Sequence, residues 1–287
     1  MRTSGIRVLA GLAGAVALHL AAGAAFAQQQ LDLPRPSPNA WVSQMVGVTK
    51  ISITYSRPGV KGRKIWGGLV PYGEVWRSGA NENTTITFST PVKIDGHDLA
   101  AGTYGFQTIP GESDWTIIFS KDANEWGAFS YKKEDDALRV QAKPQPAEPI
   151  ERLAYEFDDV TDTSAKVVLH WEKLKVSFSV EADTAKLLVS KANAADPRVQ
   201  VQAAAWCVQN NACLDDAGRW IDASIAKEET YSNLRAKALL LAKKKDTKGA
   251  VAYGEKALAA AKAAKQPPPP QQVKDLEGMV ADWKKGK

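Results

Sequence analysis

The loop between Ser56 and Phe88 carries the side chains of this chain that are best suited to binding chemistry. Its sequence, SRPGVKGRKIWGGLVPYGEVWRSGANENTTITF, is broken by glycine and proline and lacks the periodic apolar pattern of a core element. An arginine presents a planar fork of donors that grips a carboxylate or a phosphate, and Trp or Tyr faces stack on sugars and other flat ligands. The candidate ligand-binding residues are Arg57, Trp66, Tyr72, Trp76, Arg77, Asn81 and Glu82.

These residue types predict that the loop from Trp66 to Glu82 binds a small polar or saccharide-like ligand, or a partner protein of the cell envelope. In this hypothesis Arg77 grips an anionic or carbonyl group. Asn81 and Glu82 orient polar groups of the ligand, and Trp66 and Trp76 stack against it.

Two other interpretations of the loop stay open. Glu82 could pair with Arg77 and fix the loop, with the tryptophans as core residues and the glycines as turn formers. The protein would then be a structural or interaction scaffold that uses its helices. Alternatively, Glu82 with Asp95 or Asp98 could supply the two carboxylates of a glycosidase-like hydrolase.

Motifs of well-known enzyme classes are absent from the sequence. It has no G-x-S-x-G, no P-loop and no G-x-G-x-x-G between a strand and a helix. Beyond the first 27 residues there are two histidines, His97 and His170, and neither stands in a spacing typical of zinc ligands. We therefore predict no metal site and no cofactor, expect both histidines on strand surfaces, and leave enzyme activity open.

The first 27 residues are typical of a secretory signal. Basic Arg2 and Arg7 precede the apolar run VLAGLAGAVALHLAAGAAF, and small residues follow at Ala25 and Ala27. We predict cleavage after Ala27, a periplasmic or secreted protein, and no integral membrane segment in the mature chain. The formal net charge of +5 on 287 residues is too balanced to indicate a nucleic-acid partner.

The two cysteines of the chain, Cys207 and Cys213, lie six positions apart. Because an oxidising compartment favours disulfides, we predict that they join the end of one helix to the start of the next. A loop this short would contribute about 2 kcal/mol by the chain-entropy relation. A metal site or a redox pair is the alternative, but the spacing is not C-x-x-C.

Alternating apolar residues predict an antiparallel β-sandwich or jelly-roll-like domain over residues 41–181, after a proline-rich linker over residues 28–40. The Asp95-Gly96 pair predicts a hairpin, and PGESD separates the two strands of another. The prolines of KPQPAEP predict a break after a short strand that ends at Ala142. Three separate strands are expected after this break, over residues 153–157, 167–171 and 176–180.

Helical periodicity begins near Glu181 and predicts a helical domain over residues 182–287. Asp196 and Pro197 mark the start of a helix, and PPPP precedes a last one expected from Val273 to Trp283. Four positions, two small, one aromatic and one aliphatic, recur after 33 residues, close to the tetratricopeptide period. The matched positions are Ala217, Trp220, Ser224 and Ile225 with Ala250, Tyr253, Ala257 and Leu258.

The run IWGGLVPYGEVWRSGANENTTITFSTPVKIDG, followed by LAAGTYGFQTIPGESDWTIIFSK and a Trp-Gly pair at Trp126, resembles the bacterial secreted family called domain of unknown function 2911. The resemblance covers residues 41–180. It implies a β fold and export, often with a helical repeat-like C-terminal part, and it carries no established activity. Its motif residues here are Trp76, Arg77, Gly79, Ala80, Asn81 and Glu82, and Ser78 stands where the motif is expected to have Thr.

Overall fold

Ten strands are followed by six helices in the residues that this computed structural model describes, 33–124 and 126–286. The predicted signal segment and the first five residues of the linker lie outside these residues. The strands are β1 (Asn39–Val46), β2 (Thr49–Ser56), β3 (Thr85–Phe88), β4 (Val92–Ile94), β5 (His97–Leu99), β6 (Gly102–Ile109), β7 (Trp115–Ser120), β8 (Asp136–Ala142), β9 (Gln145–Asp158) and β10 (Ser164–Glu181). The helices are α1 (Thr184–Asn193), α2 (Pro197–Gln209), α3 (Leu214–Lys227), α4 (Tyr231–Lys243), α5 (Thr247–Ala263) and α6 (Pro270–Lys284).

The strands form two antiparallel sheets with one core between them. The six-stranded sheet has the order β1-β2-β3-β6-β7-β8, and the four-stranded sheet has the order β5-β4-β10-β9. Alternate residues of β2, such as Ile51 and Ile53, are buried, as the period of two predicted. Across the core, Phe106 of the first sheet stacks on Phe178 of the second, with ring centroids 5.7 Å apart. The predicted antiparallel β architecture is confirmed.

Two details of the strands differ from the sequence prediction. Two of the three prolines of KPQPAEP, Pro146 and Pro149, lie inside β9, which tolerates them because β9 is at the edge of its sheet and has one strand partner. The expected second and third strands of that region are one strand, the 18-residue β10. Its pairing with β9 shifts around Glu172, whose φ is +55°, so an irregularity bends the strand without ending it.

Helix α2 begins at the predicted capping residues. Asp196 accepts a hydrogen bond from the backbone of Arg198, and Pro197 is the first residue of α2. The last helix begins at Pro270, three residues before the predicted start, because proline fits the first helical position. The six helices are consistent with the predicted tetratricopeptide-like region, and Ala217 and Ala250, which the repeat matched, are both fully buried.

Cys207 in α2 and Cys213 at the start of α3 form a disulfide, with Cα atoms 5.4 Å apart. This confirms the predicted pairing and is compatible with an oxidising compartment. In the described part of the chain, no helix has both the length and the apolar character needed to cross a membrane.

Candidate functional site

The segment over residues 76–84, here called the Arg77 turn, forms backbone hydrogen bonds with strand β6 at both of its ends and departs from that strand in between. At its start, the main chain of Trp76 pairs with Thr108 through two hydrogen bonds of 2.7 and 2.9 Å. At its end, the backbone N–H of Phe106 donates to the carbonyl of Thr84 at 2.7 Å. The turn is therefore anchored on both sides beside two successive positions of the same face of β6.

Ser78 holds the centre of this turn. It is fully buried and has a φ of +54°, in the left-handed region that a residue with a side chain adopts only at a cost of about 1–3 kcal/mol. The Tyr155 hydroxyl donates to its carbonyl at 2.7 Å, and the Thr84 hydroxyl does so at 3.2 Å. The Ser78 hydroxyl donates to Thr108 Oγ1 at 3.1 Å. These contacts keep the turn in its strained conformation and so fix the position of the preceding residue, Arg77.

The strand register places Arg77, Asn83 and Gln107 together on the outer face of the six-stranded sheet, the face turned away from the core. Trp76 and Thr84 point toward the core, where they pack and bond, so the adjacent Arg77 and Asn83 point outward. Extension of the two pairings by one residue directs both toward Gln107 of β6, along the edge of that strand that β7 does not occupy. The Arg77 turn thus brings Arg77 and Asn83 close to the same residue of β6.

Two residues of this site, Arg77 and Asn83, have buried polar atoms without a hydrogen-bond partner among the described residues. Asn83 is 7% exposed, and neither its amide nitrogen nor its amide oxygen has a hydrogen-bond partner among the described residues. The buried Nε of Arg77 has no such partner either, and no carboxylate of the described chain forms an ion pair with it. Burial lowers the pKa of Arg77 below its usual value, yet a guanidinium remains charged at neutral pH.

The segment after β7, residues 121–135 apart from residue 125, is here called the outer loop. It folds back across the outer face: a Cβ added to Gly105 would lie 2.4 Å from the carbonyl oxygen of Asp122. One added to Gly127, where φ is +76°, would lie 2.7 Å from Arg77 Nη1 and 2.9 Å from the Phe129 ring. The outer loop therefore approaches both ends of the site at glycines, because a side chain would not fit there.

Two aromatic side chains of the outer loop are exposed next to Arg77. Phe129 is 90% exposed and Trp126 is 61% exposed, while the main chain of Trp126 pairs with Glu82 of the turn. By contrast, Ile118 of β7, on the same outer face as Gln107, is completely buried. The exposed Phe129 ring thus lies close to the Arg77 guanidinium above a buried floor, and Trp126 is exposed on the same loop.

The predicted aromatic residues Trp66 and Trp76 belong to the core. Trp66 is 8% exposed and packs edge-to-face on Trp115 and Trp171, with ring centroids 4.9 and 5.7 Å away. Trp76 stacks on Trp171 at 5.9 Å. Tyr72 lies apart from them on the surface, where its ring covers Gly67. The tryptophans therefore support the site from below the sheet.

The predicted polar residues other than Arg77 have partners within the protein. Arg57 Nε donates to the carbonyl of Leu153 at 2.8 Å, and the Asn81 amide donates to the carbonyl of Ser37 at 3.1 Å. Glu82 accepts a hydrogen bond of 2.5 Å from Arg35, which lowers the pKa of its carboxyl. The expected alternative pair of Glu82 with Arg77 is thus replaced by a pair with Arg35.

The carboxylates considered for hydrolysis are engaged on different sheets. Asp98 of β5 pairs with Lys93 at 2.8 Å, and Asp95 Oδ1 accepts from the backbone of Ser179 at 2.8 Å. Both belong to the β4–β5 hairpin of the four-stranded sheet, whereas Glu82 lies beside the six-stranded one. His170, expected on a strand surface, is 5% exposed, and its Nε2 lies 2.9 Å from the Glu148 carbonyl. Within the described residues, no group of three acidic, histidine or cysteine side chains could hold a metal ion.

Sequence reasoning missed four residues of this site: Asn83, Gln107, Trp126 and Phe129. Signals for some of them were present. Asn83 is two positions from Asn81 and adjoins a strand, and Gln107 is a polar residue between the apolar positions of TYGFQTI. Alternation places such a residue on the outer face, but the sequence alone did not indicate that the Arg77 turn would meet it there.

Comparison with known proteins found one family. The family model described as "Protein of unknown function (DUF2911)" matches residues 37–180, which extend from just before β1 almost to the end of β10. The match confirms the resemblance that the sequence motifs indicated. No curated protein and no solved structure matched the chain.

Proposed function

Because this chain belongs to the DUF2911 family, whose description gives no activity, we propose its function from the site: binding of a small polar ligand that carries a carboxylate or carbonyl group. The binding site, here called the Arg77 site, consists of Arg77, Asn83 and Gln107 with the exposed aromatics of the outer loop. In this proposal Arg77 grips the anionic or carbonyl group, and the Asn83 amide bonds polar groups next to it.

The observation that carries the proposal is the partly buried Arg77, whose charge has no acidic partner in the described chain. A buried polar group without a partner costs about 1–3 kcal/mol, so such groups call for an explanation. The neighbouring Arg139 provides the contrast, because it bonds both Asp136 and the Tyr131 hydroxyl. A ligand carboxylate at Arg77 would supply what Asp136 supplies to Arg139.

The exposed rings of Trp126 and Phe129 support a ligand with a flat or saccharide-like face. Large aromatic side chains exposed together beside a charged group are typical of a binding surface. Sugar rings offer C–H faces to aromatic rings and hydroxyl groups to amides such as that of Asn83. An acidic saccharide therefore combines all the chemistry of the Arg77 site.

We infer that the ligand is encountered outside the cytoplasm. The signal-like segment of residues 1–27 predicts export to the periplasm or the medium, and the Cys207–Cys213 disulfide is compatible with it. A partner protein of the envelope is the other occupant that the sequence predicted for this surface.

A thermal-shift screen tests the proposal. The mature protein, from residue 28 onward, would be heated with uronic acids, neutral sugars and small organic acids, beside Arg77→Lys and the control Arg219→Ala. Arg219 is an exposed α3 residue paired with Asp216, so this control alters an arginine far from the site. A ligand at a hundredfold over its dissociation constant should add about 2.7 kcal/mol to the wild type and the control.

The Arg77→Lys variant keeps the charge but loses the bidentate geometry, so it should bind at least about tenfold more weakly. Equal stabilisation of the wild type and Arg77→Lys by an acidic ligand would contradict the proposed role of Arg77. A complete absence of stabilisation by every acidic or carbonyl compound would contradict the proposed ligand class.

A further inference from the structure

We propose that the Arg77 site is one end of a longer platform that binds a linear acidic oligosaccharide and reaches Trp41 at the edge of the sheet. The proposal rests on the function inferred for Arg77 and names the class of ligand that would occupy the outer face from β1 to β6. It is carried by the side chains that the strand register brings into rows across that face.

One row joins Trp41 to the Arg77 site. Trp41 of β1 pairs with Thr54 of β2, which pairs with Thr85 of β3, which pairs with Gly105 of β6. A Cβ added to Gly105 would lie 2.6 Å from the amide nitrogen of Asn83. The row therefore ends directly beside a residue of the Arg77 site.

The row spans three strand spacings, or about 14 Å. A single sugar ring at Arg77 does not extend that far, whereas an oligosaccharide that crosses the strands does. Trp41 is 81% exposed, so its indole ring is available to stack on a sugar at the far end. Trp126 and Phe129 provide the equivalent rings at the near end.

The surface between these aromatic ends consists of small hydroxyl side chains. The adjacent row of the same face runs through Ser43, Ser52, Thr87 and Thr103. The side chains of both rows are exposed or half-buried up to Gly105, and the hydroxyls of Thr87 and Thr103 lie 2.9 Å apart. Serine and threonine hydroxyls both donate and accept hydrogen bonds, as sugar hydroxyls do.

The charge distribution selects this occupant over other polymers. The two rows contain no charged residue, so they lack the lysines and arginines that a nucleic-acid backbone requires. They also lack the cluster of large apolar side chains that forms the centre of a protein interface. A carboxylate is needed only at the sugar unit held by Arg77, and neutral hydroxyls serve the rest of the chain.

Isothermal titration calorimetry with galacturonic acid and with oligogalacturonates of two to six units tests the platform on the mature protein. We expect the affinity to rise with chain length by at least about tenfold, equivalent to about 1.4 kcal/mol. Trp41→Ala should return the hexamer to within about twofold of the monomer affinity and leave monomer binding unchanged, an energy difference of at most about 0.4 kcal/mol. Val199→Ala, which truncates an exposed apolar residue of α2, is the control and should change neither.

The outcomes separate this inference from the proposed function. If the monomer binds through Arg77 but longer chains bind no better, or Trp41→Ala has no effect on the hexamer, the platform is overturned and the Arg77 site stands. If neither monomer nor hexamer binds, the platform is overturned, and the thermal-shift screen of other acids decides the Arg77 site separately. If the monomer binds but Arg77→Lys leaves its affinity unchanged, the proposed function fails and the platform loses its acidic end. A neutral cello-oligosaccharide that binds as tightly as the acidic hexamer would contradict the acidic class.

Discussion

At the scale of single residues, the site depends on how Ser78 is held. Its carbonyl oxygen is buried and receives the Tyr155 and Thr84 hydroxyls, while its φ of +54° lies in a region less favourable for the backbone than the right-handed helical or extended regions. Loss of one donor should therefore loosen Arg77 without removing any group that touches the ligand. Tyr155 is a positioning residue in this sense.

We expect Tyr155→Phe to lower the free energy of unfolding by about 1–2 kcal/mol, because the buried Ser78 carbonyl loses its shortest hydrogen bond. Urea denaturation followed by circular dichroism measures the change. The matched control is Tyr253→Phe in α5, where the ring lies 5.5 Å from Lys256 Nζ, and it should change stability by less than about 0.5 kcal/mol. Equal effects of the two variants would show that the Tyr155 hydroxyl does not hold the turn.

The stability difference between the wild type and Tyr155→Phe should depend on pH in alkaline solution. Burial raises the pKa of Tyr155 well above its usual value, whereas the unfolded chain ionises near pH 10. The unfolded state thus loses its proton first, and the contribution of Tyr155 to stability decreases as the pH rises above about 10. The stability gap between wild type and Tyr155→Phe should narrow from pH 9 to 11, and a constant gap would contradict the buried neutral phenol.

At the scale of elements, the outer loop and β6 meet where β6 has no side chain. A Cβ on Gly105 would collide with the main chain of Asp122, which cannot move independently of the loop, and with the amide of Asn83. The glycine thus permits the close approach of the loop that buries Ile118 and Ser120. The floor of the Arg77 site exists because of this approach.

Gly105→Ala should destabilise the protein by about 1–3 kcal/mol, the usual cost of overpacking, and should weaken binding at the Arg77 site. Gly218→Ala in α3 is the control, since its nearest neighbour would be the Leu240 side chain at 3.6 Å. That change should stabilise the protein by about 0.5–1 kcal/mol through helix propensity. Thermal and urea unfolding measure both variants, and a neutral Gly105→Ala would show that the outer loop yields freely.

At the scale of the whole molecule, the hydrophobic contacts of the described residues form three separate cores. One lies between the two sheets and ends at Ala182. A second is formed by the four helices from α1 through α4, and a third by the end of α3 together with α4, α5 and α6. Polar contacts connect the parts: the Trp206 indole donates to Asp162 at 3.2 Å, and the Thr184 hydroxyl donates to the Asp162 carbonyl at 2.5 Å. Few shared apolar contacts predict limited cooperativity between sheets and helices.

We therefore expect the disulfide to stabilise the helices alone. A Cys207→Ala/Cys213→Ala double variant should lose about 2 kcal/mol in the α2–α3 region. Hydrogen exchange measured by mass spectrometry at increasing urea should show earlier exposure of α2 and α3, with β6 and β7 unchanged. Reductant should reproduce the effect in the wild type and have none in the variant. Parallel loss of protection in β6 and β7 would show that the chain unfolds as one cooperative unit.

Much of the fold followed from local sequence patterns. The alternation in β2, the Asp95-Gly96 hairpin and the Asp196-Pro197 helix start were all found where predicted, because each depends on residues a few positions apart. The Cys207–Cys213 disulfide was also found as predicted, because the two cysteines lie only six positions apart in the sequence. Neighbouring strands, in contrast, determined where β9 and β10 end. Pairing with them accommodated prolines and a bulge, which the local patterns predicted to be strand breaks.

The composition of the candidate site depended on contacts between distant positions. Arg77 was predicted from its own chemistry, but only the pairing of the Arg77 turn with β6 brought Asn83 and Gln107 to it, and only the return of the outer loop placed Phe129 beside it. The same packing buries Trp66 in the core and pairs Glu82 with Arg35. Residue types along a chain indicate which chemistry is available. Strand register and loop closure determine which of those groups meet and which charges are left without a partner. Register and loop closure depend on residues far apart in the sequence, so only the tertiary structure decided them.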